Sequence, residues 1–225
     1  MDTLTIGGRT VDRAGARAFA RRHLTDGVGW GYPSYDGFDA AGALGPLVDG
    51  DFLAPVLLGV PRLAVATYEA LQRVRPVLQS ALDDLPPELS LLDARPADFR
   101  LLARLFAVLD GPGMGGVRGT VLAAVLHRKR PRFIPLHDER VRSVYQEGAG
   151  APVPPMTGRS WADFSTVFAQ AVRTDLEREL PFWEVVAGFA AGPGISPLRA
   201  LDVVAWWAGA PAGGRPDGDG DTPAG

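Results

Sequence analysis

The chain has 225 residues, of which 46% are hydrophobic and 22% charged, a composition typical of a globular protein with a substantial core. It contains no cysteine, which excludes disulfide bonds, thiolate nucleophiles and cysteine-ligated zinc. The formal charge of −3 argues against a protein that coats nucleic acid by bulk electrostatic attraction, although a local basic patch is compatible with it.

Other global features narrow the function classes further. No apolar run reaches the length of about 18 residues that a membrane helix needs, and the first residues lack the apolar core of a signal peptide. We therefore expect a cytoplasmic protein with no membrane partner. The three histidines, His23, His127 and His137, are not spaced as a zinc site, and the sequence indicates no metal and no other cofactor. It gives no indication of the oligomeric state.

The N-terminal residues predict a small β element followed by a helix. Residues Thr3–Val11 alternate polar and apolar side chains around Gly7 and Gly8, a pattern that indicates a short hairpin or an extended arm. From Asp12 onward the apolar residues recur at helical spacing, and Asp12 is a suitable N-cap. A long loop rich in glycine and aromatic residues follows at residues 26–43.

The rest of the chain is predicted to be helical, so the fold class is mainly α. The remaining segments share apolar residues at helical spacing and end at proline or glycine. These helices are predicted at about residues 51–60, 63–75, 77–83, 97–109, 117–127, 138–146, 160–180, 181–190 and 196–207. The tail at residues 209–225 is rich in glycine, proline and aspartate and is predicted to be disordered.

The most informative stretch is residues 109–145. The run Gly111–Gly116, GPGMGG, separates two predicted helices, and glycine tolerates the positive φ angles of a tight turn. Such a turn exposes backbone N–H groups at a helix N-terminus, where they can bind a phosphate without any side chain. Asp138 stands at the start of the next predicted helix.

These residues resemble a motif of the helix-hairpin-helix DNA glycosylase superfamily. Pro112–Gly115 is similar to the family's P-G-V-G turn, and Gly119 stands where the family has a small residue. Residues 133–141, FIPLHDERV, resemble the segment that carries the family's catalytic aspartate, which matches Asp138. The resemblance covers about residues 109–145.

The resemblance implies a fold and an activity. It implies a helical unit of two lobes over residues 1–208, with the helix-hairpin-helix segment at about 97–146. It also implies a DNA repair hydrolase that binds double-stranded DNA and cleaves an N-glycosidic bond. Val117 stands where the family's lyase lysine would fall, so the enzyme, if it is catalytic, is expected to be monofunctional.

Asp138 has two possible roles. A carboxylate beside the sugar can stabilise the oxocarbenium character of the transition state or orient the attacking water. A helix N-terminus favours the ionised form of such a carboxylate. The alternative is that Asp138 is only an N-cap, a position where aspartate is common.

Two groups of residues are candidates for DNA contact. The hairpin would contribute main-chain N–H groups, and the basic run after the next predicted helix would contact flanking phosphates. The alternative for the basic run is a solvated helix end, where cations are favoured. The residues expected to contact DNA are Gly113, Met114, Gly115, Gly116, Arg118, Gly119, Arg128, Lys129 and Arg130.

A base or ligand pocket is expected from Trp30, Tyr32, Tyr35, Asp36 and His137. The aromatic rings could stack on an extruded base, and the carboxylate could accept hydrogen bonds from it. The alternative is that the aromatics fill the interface between the lobes. His137 is either a proton shuttle or a structural histidine bonded to the backbone.

Two other functions remain open at this point. The first is a non-catalytic DNA-binding protein that keeps the hairpin without the chemistry, which suits the missing lyase lysine and the acidic composition. The second is an enzyme that acts on a small molecule or nucleotide, with the aromatic loop and Asp138 in one cleft between the lobes.

Overall fold

A computed structural model describes residues 2–26, 31–38, 42, 45–60, 63–114, 116–148 and 150–210. These ranges contain two short β-strands and nine α-helices. The elements are β1 (Thr3–Ile6), β2 (Arg9–Asp12), α1 (Arg13–Asp26), α2 (Asp49–Leu53), α3 (Val65–Asp83), α4 (Pro96–Phe106), α5 (Gly119–Lys129), α6 (Glu139–Gln146), α7 (Trp161–Arg178), α8 (Leu180–Ala187) and α9 (Pro197–Ala208). The predicted mainly α fold class is confirmed.

The N-terminal strands form the predicted hairpin. Strands β1 and β2 are antiparallel, and Gly7 and Gly8 form the turn with φ angles of +56° and +82°. The turn is docked on the helices, because the Gly7 amide donates to the Asp175 carboxylate at 2.6 Å. Asp12 is the N-cap that the sequence predicts, since its carboxylate accepts from the Gly15 amide at 2.6 Å.

One contiguous apolar core joins these elements, and α5 lies at its centre. Residues from both strands and from most of the helices belong to one cluster of buried side chains. Helix α5 is buried on all sides from Val121 onward, as expected for a helix that other elements surround. Within the described ranges, no helix combines the length and the apolar character needed to cross a membrane.

Two helix boundaries differ from prediction at prolines. The sequence predicts a break between residues 75 and 77, but α3 continues through Pro76. Pro76 lies on the exposed side, and Leu71, Leu78 and Leu82 bury one continuous face on the other, so core packing outweighs the lost backbone hydrogen bond. The helix predicted at 51–60 is instead the short α2 followed by a 3₁₀ turn at Ala54–Leu58, which contains Pro55.

Candidate functional site

The hairpin, residues 111–118, connects the 3₁₀ turn after α4 to the start of α5. Gly113 and Gly116 have φ angles of +81° and +88°, which other residues adopt only with strain. The Val117 amide donates to the Met114 carbonyl at 3.0 Å, and the buried Met114 side chain anchors the turn in the core. Gly115 lies outside the described residues.

The first residue of α5, Gly119, is buried, and the residue before it, Arg118, is exposed. Arg118 is the N-cap residue, and no side chain of the described residues caps the first turn of the helix. The exposed Arg73 of α3 donates to the Gly113 carbonyl at 2.9 Å. Uncapped amides at a helix N-terminus, with two guanidinium groups near them, make a favourable position for an anion.

Gly119 is required for close packing. A Cβ atom at this position would lie 2.2 Å from the indole ring of Trp161, so only glycine fits. The same indole meets the His137 ring edge to face, with centroids 6.1 Å apart. Trp161 therefore connects the first residue of α5 to the residue that precedes Asp138.

The segment after α5 returns along this helix and brings Asp138 toward its start. His127 Nδ1 lies 2.7 Å from the Ile134 carbonyl oxygen, and Leu136 packs in one cluster with Ala124. His137 then reaches Trp161, which covers Gly119. These contacts step back along α5 as far as His137, while the charges that act on Asp138 itself are those of Arg140, Arg199 and Asp202.

Asp138 caps α6 and is half-buried. Its Oδ1 accepts a hydrogen bond from the Val141 amide at 2.8 Å, as the N-cap interpretation predicts. Burial raises the pKa of Asp138, although the amides of Val141 and Arg140 and the positive charges of Arg140 and Arg199 favour the ionised form. The stabilisation of the anion by the helix N-terminus is thus present, but burial outweighs it.

A second carboxylate, which the sequence reasoning missed, interacts electrostatically with Asp138. Asp202 of α9 is 7% exposed and pairs with Arg199 one turn earlier in the same helix. Burial raises the pKa of Asp202 to about 7, and the negative charge of Asp138 adds to this effect while Arg199 opposes it. The available signal was the i, i+3 spacing of an arginine and an aspartate in a helix that is otherwise apolar.

The structure contradicts the expected phosphate contacts of the basic run, residues 128–130. Arg128, Lys129 and Arg130 are 5%, 0% and 5% exposed, so they do not present their charges on the surface that a DNA duplex would contact, and the solvated-end alternative is wrong for these three residues as well. The Arg128 guanidinium donates to the carbonyl oxygens of Tyr35, at 2.9 Å, and Phe38. Arg128 therefore binds another segment of the same protein.

Lys129 forms a buried ion pair with Asp51 of α2. Its Nζ lies 2.7 Å from Asp51 Oδ2, and both side chains are fully buried. Arg128 Nε lies 3.4 Å from Asp51 Oδ1, so one carboxylate serves two cations of the basic run. Because Lys129 is the only lysine in the chain, the structure leaves no side-chain amine accessible for a Schiff base.

The aromatic segment at residues 31–38 is part of the interior and not an open pocket. The buried Tyr32 hydroxyl accepts from the Gly192 amide at 2.6 Å, and the buried Tyr35 hydroxyl donates to the Ala124 carbonyl at 2.6 Å. Neither ring can stack on an extruded base, which corrects the predicted pocket. Trp30 lies outside the described residues.

Asp36 does not offer its carboxylate to a ligand either. Its two oxygens accept from Arg199 Nε at 2.9 Å and Arg199 Nη2 at 3.1 Å, in a bidentate pair that is nearly buried. Burial opposes the charge of Arg199, but the flanking Asp36 and Asp202 raise its pKa. Two buried arginines, Arg128 and Arg199, thus hold the segment at residues 31–38.

His137 fits neither of its predicted roles. Burial, and the nearby charge of Arg142, lower the pKa of His137 to about 4, which is too low for a proton shuttle at neutral pH. Neither ring nitrogen has a hydrogen-bond partner, so it is not bonded to the backbone. Its ring packs against aromatic side chains and lines a narrow cavity with Phe164, Ser165 and Phe168.

The part of the chain that the structure describes has no group of three histidine or acidic side chains arranged to hold a metal ion. A cleft of about 420 Å³ lies at the far end of α3, and Asp138 does not line it. No curated protein and no solved structure significantly matches the chain. A family model does match residues 16–209, and the chain therefore belongs to the family of unknown function DUF6308.

Proposed function

We propose that this chain binds double-stranded DNA through the hairpin at residues 111–118 and hydrolyses an N-glycosidic bond with Asp138. It would be a monofunctional DNA repair glycosylase of the two-lobed helix-hairpin-helix type. One observation carries the proposal: Trp161 packs on Gly119 and contacts His137, so one side chain links the uncapped start of α5 to the residue before Asp138.

The chemistry follows from the position of Asp138. The departing base leaves a sugar with oxocarbenium character, which an ionised carboxylate stabilises while water attacks the anomeric carbon. Burial raises the pKa of Asp138, while the Val141 amide and the charges of Arg140 and Arg199 favour the ionised form that this step needs. A lyase step would need an amine nucleophile, and the buried, ion-paired Lys129 does not supply one.

The proposed DNA contacts are few. Two exposed arginines, Arg73 and Arg118, lie at the hairpin, and the basic run contributes none. For about two neutralised phosphates, the logarithm of the binding constant should fall with the logarithm of salt concentration with a slope of about −1.8. We expect weak binding at physiological salt.

A non-catalytic DNA-binding protein is the second candidate. The burial of Tyr32 and Tyr35 favours it, because the described residues then provide no aromatic platform for an extruded base. The hydrogen bond from Val141 to Asp138 is also compatible with a purely structural carboxylate. This candidate shares the hairpin contact and lacks the hydrolysis.

Binding is tested with Arg118→Glu, measured by fluorescence anisotropy on a labelled duplex at low salt. A carboxylate near a helix N-terminus favours the helix, so the variant should fold while it repels the phosphate. We expect binding at least about tenfold weaker, equivalent to about 1.4 kcal/mol. The matched control is Arg100→Glu, an equal charge change at an exposed position of α4, which should bind almost normally. Equal losses in both variants, or no duplex binding by the native chain, would refute the hairpin contact.

Hydrolysis is tested by counting abasic sites in alkylated, oxidised and deaminated DNA with an aldehyde-reactive probe. Asp138→Asn keeps an N-cap acceptor and removes the charge, so it should fold and bind DNA but produce no abasic sites. If the native chain binds duplex DNA but forms no abasic sites on any of these substrates, the glycosylase proposal is refuted and the non-catalytic DNA-binding protein remains. Activity that survives in Asp138→Asn would remove Asp138 from the mechanism.

A further inference from the structure

A cleft of about 420 Å³ lies at the C-terminal end of α3, away from the hairpin. Its volume falls in the range of small-molecule sites. Its lining is polar and apolar in about equal parts, and it includes three charged side chains, Asp83, Asp84 and Arg130. The lining residues used below are Pro46, Leu82, Asp83, Pro86, Pro87 and Arg130.

Arg130 is a buried cation without a carboxylate partner. Its guanidinium donates to the carbonyl oxygens of Leu85, at 2.9 Å, Lys129, at 2.6 Å, and Leu82. These three bonds leave two of the five N–H groups of a guanidinium without an acceptor. No acidic side chain in the described ranges forms a salt bridge with it, and burial lowers its pKa while the charge of Asp83 partly compensates.

Asp83 is an anion without a cation partner. One carboxylate oxygen accepts from Gln79 Nε2 at 2.6 Å, and no arginine of the described residues pairs with it. The neighbouring Asp84 differs, because Arg104 Nη1 lies 3.3 Å from its Oδ2. The carbonyl groups at the C-terminal end of α3 add negative potential on the same side of the cleft.

Arg130 and Asp83 line one cleft and interact electrostatically, but they form no direct salt bridge, so a ligand that carries both charges could pair with each of them. Arg130 contacts the carbonyl of Leu82, the residue just before Asp83, so one small molecule can reach both side chains. A ligand carboxylate would occupy the spare donors of Arg130, and a ligand ammonium would pair with Asp83. The proline and leucine walls would cover an apolar side chain.

We propose that the cleft at the end of α3 binds a small zwitterion of the amino-acid or dipeptide class, with its carboxylate on Arg130 and its ammonium on Asp83. This inference is independent of the proposed DNA function. The site lies at the opposite end of α3 from Thr67, which borders the hairpin at Gly116.

The test is calorimetric titration of the full chain with L-leucine and with leucyl-leucine. Each has two relatives that lack one charge: the C-terminal amide removes the carboxylate, and N-acetylation removes the ammonium. We expect at least one of the two zwitterions to bind, and both of its single-charge relatives to bind at least about tenfold more weakly, equivalent to about 1.4 kcal/mol.

Two substitutions in α3 provide the matched comparison. Asp83→Asn should weaken zwitterion binding about tenfold, while Glu69→Gln, the same loss of charge at an exposed position near the other end of α3, should leave it within about twofold. Both positions are exposed, so both variants should fold. The proposal is overturned if neither zwitterion binds at millimolar concentration, if an amide binds as well as its parent, or if the two variants weaken binding equally.

Discussion

The hairpin and the basic run lie at the two ends of α5, and both are rich in residues that nucleic-acid contacts use. At the N-terminal end, Arg118 is exposed and the first turn has no side-chain cap. At the C-terminal end, the side chains of residues 128–130 are buried and bonded to the protein itself. The two ends of the same helix therefore differ in the exposure of their arginines and in whether side chains of the protein already pair with them.

The difference shows that the position of the counter-charge, and not the local density of charge, decides whether the side chains of a basic run can contact another molecule. Asp51 and the carbonyl oxygens of Tyr35 and Phe38 come from segments far away in the chain and surround the cations. Burying a cation is unfavourable unless such partners are present, so the basic run depends on them. The hairpin depends on no such partner.

The largest expected effect concerns Asp51. Asp51→Ala leaves Lys129 fully buried without its counter-charge, so we expect a loss of about 3–5 kcal/mol in the free energy of unfolding. Urea denaturation followed by circular dichroism measures it. The double variant Asp51→Leu with Lys129→Met removes the Lys129 charge as well but leaves Arg128 without its carboxylate, so it should recover part of the loss. A single variant as stable as the native chain would mean that the basic run is not internal after all.

The next effect concerns pH and the residue between the two regions, His137. Its folded pKa of about 4 lies below the ordinary value of 6.5, so the unfolded chain binds a proton that the folded chain does not. The stability this histidine contributes is therefore present above pH 6.5 and is lost as pH falls toward 4.

His137→Phe fits the aromatic surroundings and removes this dependence. Between pH 6.5 and 4, its unfolding free energy relative to the native chain should improve by about 3 kcal/mol. Asp202→Asn is the opposite control, since the raised pKa of Asp202, about 7, makes the native fold gain from this group as pH falls from 7 to 4. Parallel pH profiles for the native chain and His137→Phe would show that His137 is not buried in its neutral form.

The smallest expected effect concerns the start of α5. In Gly119→Ala, the added methyl meets the Trp161 indole, and overpacking of this kind destabilises by about 1–3 kcal/mol. Gly111→Ala is the control: Gly111 has φ −84°, and a Cβ there would lie 3.4 Å from its nearest neighbour, the Val108 carbonyl oxygen. Thermal unfolding of both variants measures the difference. Equal unfolding midpoints for the two variants would show that Trp161 does not pack closely on Gly119.

Local features of the fold could be predicted from the sequence. The N-caps Asp12 and Asp138 and the turn at Gly7 and Gly8 depend on residues a few positions apart, and the structure has all of them. Helical periodicity gave the positions of most helices for the same reason. The break predicted at Pro76 was wrong because burial of the opposite face of α3 outweighs a local preference.

The partners of the buried charges could not be predicted, because they are separated in the chain. Asp36 and Arg199 are 163 positions apart, and no periodic pattern links them. The sequence shows Asp202 only as a polar residue in an apolar helix, whereas its effect on Asp138 depends on the packing of α9 against α6. For the candidate site, Asp138 and the hairpin could be found from a local motif, while the surrounding electrostatics required the fold.

Because Lys129 is fully buried, the chemical modification of its amine can report local unfolding of the protein around it. Amine-directed acylation or reductive methylation cannot reach its Nζ while the Asp51 pair is covered, so modification of this side chain should proceed only through molecules that have transiently unfolded there. The rate of modification at this one position, followed by peptide mass spectrometry, would then measure the equilibrium of that opening without any denaturant.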